Sequence, residues 1–394
     1  MFETLAPAPA DKIIALIGLY RADPRPNKVD LGVGVYKDRD GRTPVMRALR
    51  EAEKRLLQGQ DTKTYLGLAG DIAFNTAMAK LAFGEKADLS RIRAAQAPGG
   101  SGALRLVAEL LKRTRADATV WLSDPTWPNH LPVMRGAGLQ TRDYPYFDAS
   151  TGAVRFKDML AALRSANKGD VVLLHGCCHN PTGANLDETQ WVEVADLVAE
   201  RGLLPFVDIA YQGFGEGLDA DAAGLRLLAA KVPEMVVASS CSKNFAVYRD
   251  RVGAAMIVAR DGAEADVAMS QMLAAARAMY SMPPDHGAAA VRIVLEDDGL
   301  RADWQAELEE MRLRMLRLRV AFAEALRRQS NSDRFDFVAS HRGMFSRLGL
   351  TEAQVERLRA EHAVYMVGDS RINVAGLPED GMDDLAKAIV SVLD

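Results

Sequence analysis

The chain has 394 residues, a formal net charge of −4 and three cysteines. Its charges of both signs are interspersed and no basic run resembles a nucleic-acid footprint, so we expect no nucleic-acid partner. No apolar run reaches the roughly 18 residues that a membrane span needs. The N-terminus lacks a basic region followed by an apolar stretch, so we expect a cytoplasmic protein. The length predicts more than one domain.

The N-terminal segment is predicted to be an arm that leads into a larger domain. A short helix is expected over residues 11–20, because its isoleucines lie on one side. The apolar segment 31–36 includes Gly34, where the backbone can approach a ligand closely. A second helix is predicted over residues 44–57, and the loop after it carries Tyr65.

A glycine-rich turn, Gly99-Gly100-Ser101-Gly102, opens into a helical pattern that starts at Ala103. The free N–H groups and the positive dipole end of a helix N-terminus suit a phosphate. The alternative is a tight turn in which Ser101 is only the N-cap of the helix. The turn alone leaves both interpretations open.

Strands and helices alternate from Thr119 onward. The predicted strands are residues 119–122, 171–174, 204–209, 235–238 and 252–258. Such alternation favours a mostly parallel sheet covered on both faces by helices, with ligands at the carboxyl ends of the strands. Those ends carry polar residues, namely Asp124 to Trp127, His175 to Gly183, Asp208 to Tyr211 and Ser240 to Lys243.

The cysteines predict neither a disulfide framework nor a metal site. Cys177 and Cys178 are adjacent, and Cys241 is the third. The segment from His175 to His179 ends an apolar strand and has no second pair of ligands at the spacing of a metal site.

The sheet pattern stops after Gly287. A long amphipathic helix is predicted over residues 301–329, followed by strands near residues 343–346 and 370–374. We therefore expect a smaller C-terminal α/β domain. The predicted division is an arm and part of the small domain in 1–35, a large domain in 36–300 and the small domain in 301–394.

Lys243 lies between two apolar runs, which is an unusual place for a solvated lysine. An amine attacks a carbonyl only when it is desolvated or placed near other cations, because its ordinary pKa is near 10.4. Arg251 returns a cation to the same region eight residues later. The alternative is a lysine at a strand end that extends to solvent.

A reactive lysine, a phosphate-binding helix terminus, a buried aspartate and an indole are together the parts of a pyridoxal phosphate site. Lys243 would bind the cofactor covalently and Asp208 would pair with its ring nitrogen. Tyr211 and Asn180 would donate hydrogen bonds to the ring oxygen, and Trp127 would stack on the ring. The predicted phosphate ligands are Gly100, Ser101, Gly102, Ser240 and Arg251.

Five motifs occur in a specific order: Asp124-Pro125-Thr126-Trp127-Pro128-Asn129-His130, His179-Asn180-Pro181-Thr182-Gly183, Asp208-Ile209-Ala210-Tyr211-Gln212-Gly213-Phe214, Ser240-Cys241-Ser242-Lys243-Asn244-Phe245 and Ser370-Arg371-Ile372-Asn373. In this order the chain resembles, from end to end, the fold-type I, class I aminotransferases of the aspartate and aromatic amino-acid group. The resemblance implies a large domain with a mostly parallel seven-stranded sheet and a smaller α/β domain.

The resemblance also implies roles in catalysis. Lys243 would move the proton between the substrate α-carbon and the cofactor, and Arg371 would bind the substrate α-carboxylate, for which a bidentate guanidinium is suited. The other residues expected at the substrate are Gly34, Trp127 and Asn180.

Two further residues are implied to act in the neighbouring subunit of a homodimer. Tyr65 would reach the neighbour's phosphate, and Arg277 would bind the distal carboxylate of the substrate. His130 and His175 match positions that orient the residues around them.

Met282 bears on substrate choice. Family members restricted to dicarboxylates commonly carry a small polar residue there, whereas a flexible methionine can adapt its packing. With Ile13, Val33 and Phe345 it suggests a pocket that accepts an aromatic ring while Arg277 still accepts dicarboxylates. We expect ping-pong transfer of the amino group of tyrosine, phenylalanine, tryptophan or aspartate to 2-oxoglutarate. The alternative is a dedicated aspartate aminotransferase.

Two other classes of protein fit less well. The same cofactor supports β-elimination or racemisation, but a lyase has no evident need for both Arg277 and Arg371. A non-catalytic binding subunit would have no need to keep Lys243, Asp208 and Arg251 together.

Overall fold

A computed structural model describes residues 1–8 and 11–393 of the chain. Its strands are β1 Val29–Asp30, β2 Ile92–Pro98, β3 Thr119–Asp124, β4 Gln140–Pro145, β5 Phe147–Asp148, β6 Ala153–Val154, β7 Val171–His175, β8 Leu204–Ile209, β9 Met235–Ser240, β10 Val252–Val258, β11 Phe345–Arg347, β12 Val364–Tyr365 and β13 Arg371–Asn373. Its helices are α1 Lys12–Ala22, α2 Arg47–Gly59, α3 Ile72–Phe83, α4 Gly99–Thr114, α5 His130–Gly136, α6 Phe156–Arg164, α7 Glu188–Arg201, α8 Ala223–Lys231, α9 Gly262–Met279, α10 His286–Glu296, α11 Asp298–Ser330, α12 Phe337–Ser340, α13 Glu352–His362 and α14 Met382–Ser391.

A seven-stranded sheet is the centre of the fold, with strand order β2-β10-β9-β8-β7-β3-β4. Neighbours from β9 to β4 pair in parallel, whereas β10 is antiparallel to both β2 and β9. The predicted α/β class and mostly parallel sheet are therefore confirmed.

Helices cover both faces of this sheet, which is why its strands are apolar on both sides. Every residue of β9 and β10 is buried. Of the two larger core clusters, one includes α4 and α9 and the other includes α7, α8 and α11. Continuous apolar runs of this kind are typical of strands buried on both faces.

The reversed direction of β10 has a consequence for the site. The carboxyl ends of β2, β3, β7, β8 and β9 lie at one edge of the sheet, and β10 begins at that same edge. Arg251 immediately precedes β10 and Lys243 follows β9, so a hairpin-like connection returns the arginine to the lysine.

Two strands of the central sheet were not predicted from the sequence, and helix α4 begins earlier than expected. Strands β2 and β4 carry arginine and glutamine among their residues and lack the apolar runs that marked the others. Helix α4 begins at Gly99, and its N-cap is Pro98. The interpretation of Ser101 as an N-cap is therefore wrong, because Ser101 lies within the first turn of the helix.

The C-terminal elements pack around the predicted long helix. Helix α11 contacts both α14 and α12. Strand β11 pairs with β13 in antiparallel fashion, and β1 pairs with β12 in parallel, so the N-terminal segment joins the C-terminal region. The division into residues 1–35, 36–300 and 301–394 stays our proposal. Within the described residues, each helix is too short or too polar to cross a membrane.

Candidate functional site

A cavity lies at the carboxyl edge of the sheet, and ten of the predicted site residues line it. They are Gly34, Gly100, Ser101, Trp127, Asn180, Asp208, Tyr211, Ser240, Lys243 and Arg251. Loops after four strands and the first turn of α4 thus meet at one place, as expected for ligand sites in open α/β sheets.

The loop between β9 and β10 holds Lys243 in the cavity. Phe245 stacks on Trp304 of α11 with ring centroids 4.3 Å apart, and the Trp304 indole donates to the Asn244 carbonyl at 2.7 Å. The Cys241 amide donates to the Val252 carbonyl at 3.0 Å. The chain on both sides of Lys243 is therefore fixed, and the amine lies 4.9 Å from the centre of the Tyr211 ring.

The Lys243 amine is adapted to act as a nucleophile. Its pKa is lowered to about 8, chiefly by burial and to a lesser degree by the nearby cations Arg251 and Arg371, against the opposing effect of Asp208. A pKa near neutrality leaves a useful fraction of the amine uncharged.

We expect the reactivity of Lys243 to rise through a pH of about 8 in the cofactor-free protein. Competitive labelling with acetic anhydride, followed by mass spectrometry of the Lys243 peptide, measures this inflection, and free Nα-acetyl-lysine is the control. Arg251→Met should raise the inflection and Asp208→Asn should lower it, because these groups act on the pKa in opposite directions. An inflection for Lys243 at the pH of the free amine would contradict the account.

Asp208 is kept ionised by a buried hydrogen-bond network. Burial tends to raise the pKa of this carboxyl, but the hydrogen bond from His130 and the neighbouring positive groups bring it below its ordinary value. His130 Nε2 lies 2.9 Å from Asp208 Oδ2, and its Nδ1 lies 2.7 Å from Thr126 Oγ1. Burial lowers the pKa of His175 to about 3, so this ring is neutral. The network orients an anion towards the cavity.

Small residues and one arginine form an anion cradle at the start of α4. A Cβ atom added at Gly99 would lie 2.5 Å from Arg251 Nη2, and one added at Gly100 would lie 2.8 Å from Ser240 Cβ. The glycines therefore let the helix N-terminus approach Arg251 and Ser240. Free N–H groups at this N-terminus, a guanidinium and a hydroxyl together suit a phosphate.

Tyr211 and Asn180 present polar groups to the cavity from the loops after β8 and β7. Burial raises the pKa of the Tyr211 hydroxyl, so the group stays protonated and can donate. Asn180 is buried, and its Oδ1 lies 3.4 Å from Arg371 Nη1. Trp127 lies beside His130 in an edge-to-face contact with ring centroids 5.3 Å apart.

Arg371 is a buried cation whose guanidinium has an unused hydrogen-bond donor. Its Nη2 donates to the Gly32 carbonyl at 2.9 Å, and its guanidinium lies 4.4 Å from the centre of the Phe345 ring. Its Nε atom is buried without a hydrogen-bond partner among the described residues. Burial lowers its pKa. A substrate carboxylate would satisfy this group.

Four of the predicted site residues are not among those that line the cavity, namely Arg371, which is buried beside Asn180, and Tyr65, Arg277 and Gly102. Tyr65 is 83% exposed and Arg277 is exposed near the end of α9. Gly102 packs against Pro98, since a Cβ added there would lie 2.8 Å from Pro98 Cδ. Met282 lines a separate surface groove together with Tyr65.

Some lining residues were missed by sequence reasoning. They are Leu104, Cys177, Ser242 and Tyr248. The Tyr248 hydroxyl accepts a hydrogen bond of 2.9 Å from the Tyr36 amide. Its position five residues after Lys243 was the only sequence signal, and a tyrosine in a polar loop has no distinctive pattern.

Cys177, Cys178 and Asp221 bring ligand-type atoms within 4.8 Å of one another. The two oxygens of Asp221 already accept hydrogen bonds of 2.8 Å from the amides of Gly213, Gly215 and Glu216. The carboxylate therefore organises the loop after β8.

Comparisons with known proteins agree with this geometry. The family model for class I and II aminotransferases matches residues 26–389. The chain is 52% identical over 392 residues to an aromatic-amino-acid aminotransferase of Paracoccus denitrificans and 48% identical over 396 residues to an aspartate aminotransferase of Escherichia coli, with all of each chain covered. A crystal structure of an aromatic-amino-acid aminotransferase from Burkholderia pseudomallei, covalently bound to pyridoxal phosphate, has a TM-score of 0.97 at 44% identity, with both chains fully covered.

The fold and the site define an α/β enzyme in which a lysine, a buried aspartate and an anion cradle face one cavity. The chain belongs to the class I and II aminotransferase family.

Proposed function

We propose that the protein is a pyridoxal-phosphate-dependent aromatic amino-acid aminotransferase that also accepts aspartate, with 2-oxoglutarate as amino acceptor. The observation that carries this proposal is the meeting of Lys243, Asp208 and the anion cradle in one cavity. Both aromatic and aspartate aminotransferases are among the relatives of the chain.

The residues present fit this cofactor. The cradle formed by Gly99, Gly100, Ser240 and Arg251 excludes a Cβ atom and offers donors to a phosphate. When bound, the cofactor supplies an aldehyde for the amine and a ring that draws electron density from the substrate α-carbon. Asp208 would accept a hydrogen bond from the ring nitrogen and hold positive charge there. Ser101, Gly102, Trp127, Asn180 and Tyr211 are the other cofactor ligands in this proposal.

Lys243 carries the chemistry in this proposal. Its uncharged amine is available for covalent attachment because its pKa is about 8. When its amine is free, Nζ would be the group that takes the proton from the substrate α-carbon and returns it during amino transfer. One positioned group that serves as both base and acid contributes strongly to the rate.

Arg371 would position the substrate by binding its α-carboxylate. Asn180 lies beside this guanidinium, and Gly34 completes the wall of the cavity next to Phe345. A Cβ atom added at Gly34 would lie 3.2 Å from Phe345 Cζ. The close contact leaves the rest of the site for the substrate side chain.

The proposal makes the protein a homodimer with shared active sites. Tyr65 and Leu66 are 83% and 52% exposed, and Arg277 points to solvent in the single chain. In the dimer, Tyr65 would contact the phosphate in the neighbour's site, and Arg277 would bind the distal carboxylate of the substrate there. Amino acids and 2-oxo acids in the cytoplasm are the proposed partners.

Substrate choice depends on the surroundings of Arg277. Met282 is half-buried five residues after it, in the groove that also contains Tyr65. A methionine can move aside for an aromatic ring and leave the arginine free for a dicarboxylate. The second candidate function, a dedicated aspartate aminotransferase, uses the same machinery.

Arg277→Ala tests the distal-carboxylate role. We expect kcat/KM for aspartate to fall at least about 100-fold, because a charge-assisted contact is lost. The value for phenylalanine should change less than about fivefold, since its side chain carries no charge. Gln271→Ala, an exposed change on the same helix, is the control. Equal losses for the two donors would show that Arg277 is structural.

A further inference from the structure

Gln96 is a fully buried glutamine that the proposed chemistry does not use. It lies in β2, three residues before the glycine that begins α4. Its amide Oε1 accepts a hydrogen bond of 3.0 Å from the Asp71 amide, and its Nε2 donates to the Pro284 carbonyl at 2.6 Å. One side chain thus joins two loops that are over 200 residues apart in sequence.

These two loops carry Tyr65 and Met282, neither of which lines the chain's own cavity. The first, residues 60–71, contains Tyr65, and the second, residues 281–285, contains Met282 and follows Arg277. They form the walls of one surface groove. Tyr65, with its proposed role in the partner's site, and Met282, which follows the arginine proposed to act there, therefore lie in a single unit.

The contacts around Gln96 hold this unit together. Gly70 has a φ of +74°, and a Cβ atom added there would lie 2.3 Å from Gln96 Oε1 and 2.8 Å from Pro283 Cγ. Gln60 Nε2 donates to Asp285 Oδ2 at 2.9 Å, and Arg292 Nε donates to Asp71 Oδ2 at 2.8 Å. Among these polar side chains, that of Gln96 is fully buried and forms hydrogen bonds with both loops.

We propose that Gln96 is a positioning residue that fixes the Tyr65 loop and the Met282 loop for use in the partner's active site. This inference rests on the shared-site dimer of the proposed function. Because both ends of the side-chain amide are used, its donor and acceptor set the spacing of the loops. A displacement of about 1 Å at a positioning group can change rates about 100-fold.

Gln96→Met removes both hydrogen bonds and keeps the length of the side chain. The backbone bond from Gln96 N to the Ala69 carbonyl, 3.0 Å long, remains, and Pro284 is an exposed residue. We expect the variant to fold, with the KM for 2-oxoglutarate raised about tenfold and the kcat for phenylalanine changed less than about twofold. Gln60→Ala should raise the KM for 2-oxoglutarate by a smaller factor. This variant replaces Gln96→Met in the test if Gln96→Met fails to fold.

Heterodimers of differently tagged chains separate an effect on the partner's site from an effect within the chain. In the first heterodimer, one chain carries Gln96→Met and the other carries Lys243→Ala. Its working site belongs to the Gln96→Met chain but receives loops from a chain with native Gln96. In the second, a wild-type chain is paired with a chain that carries both changes, so the working site receives the altered loops.

The raised KM for 2-oxoglutarate should appear in the second heterodimer and be absent from the first. Wild type paired with Lys243→Ala gives the reference value. A defect in the first heterodimer alone would overturn the inference, because Gln96 would then act through β2 and α4 of its own chain. A wild-type chain paired with Lys243→Ala plus Arg277→Ala tests the shared site itself. A native KM in that heterodimer, or a monomeric protein in sedimentation, would overturn the proposed shared-site dimer and with it the inference. If only the Gln96→Met heterodimers behave otherwise than expected, the dimer stands and the role of Gln96 alone is overturned.

Discussion

Lys243→Ala should lower kcat/KM at least about 10⁴-fold for aromatic donors and for aspartate alike. The substitution removes the amine that attaches the cofactor and the group that moves the proton. The anion cradle and Asp208 remain, so the variant should still bind cofactor without a covalent bond. Single-turnover rates and the absorbance of the bound cofactor measure the two effects separately.

Lys86→Ala is the control for this change, because Lys86 is exposed and does not line the cavity. It should behave like the wild type. Turnover by Lys243→Ala within about tenfold of the wild-type rate would show that another group moves the proton.

Arg371→Leu should weaken every substrate to a similar degree, because all of them carry an α-carboxylate. Removal of one partner of a buried charge pair costs about 2–5 kcal/mol, which is roughly a 30- to 5,000-fold fall in kcat/KM. Arg371→Lys keeps the charge but loses the two parallel donors, so we expect an intermediate fall. Steady-state kinetics with phenylalanine and aspartate measure both variants.

Arg164→Leu replaces an exposed arginine of α6 and is the matched control. A fall confined to aspartate in Arg371→Leu would contradict the assignment, because it would place the distal carboxylate, and not the α-carboxylate, on Arg371.

The positions of the strands could be predicted from the sequence where burial on both faces of the sheet requires continuous apolar runs. Strands β8 and β10 occupy the predicted residues 204–209 and 252–258. Strand β2 was missed because Arg93 and Gln96 interrupt its pattern, although the Gln96 side chain is satisfied inside the protein. Such a polar residue becomes understandable only when its partners, 25 and 188 residues away, are known.

The site was predictable to the extent that its residues follow strands. Lys243, Asp208 and Asn180 meet because the carboxyl ends of parallel strands lie at one edge. Arg371 is different, since it arrives from a small separate sheet, and only the family resemblance placed it near Asn180. Tyr65 and Arg277 have no pattern of their own, because their proposed work is done in a second chain.

Dual specificity of the enzyme is tested most directly by a single-turnover titration. The absorbance of the bound cofactor is followed while phenylalanine, tyrosine and aspartate are added separately, and each donor gives a ratio of rate constant to Kd. We expect the ratios for the aromatic donors to lie within about tenfold of the ratio for aspartate. A preference for aspartate of about three orders of magnitude or more would contradict the claim and identify a dedicated aspartate aminotransferase.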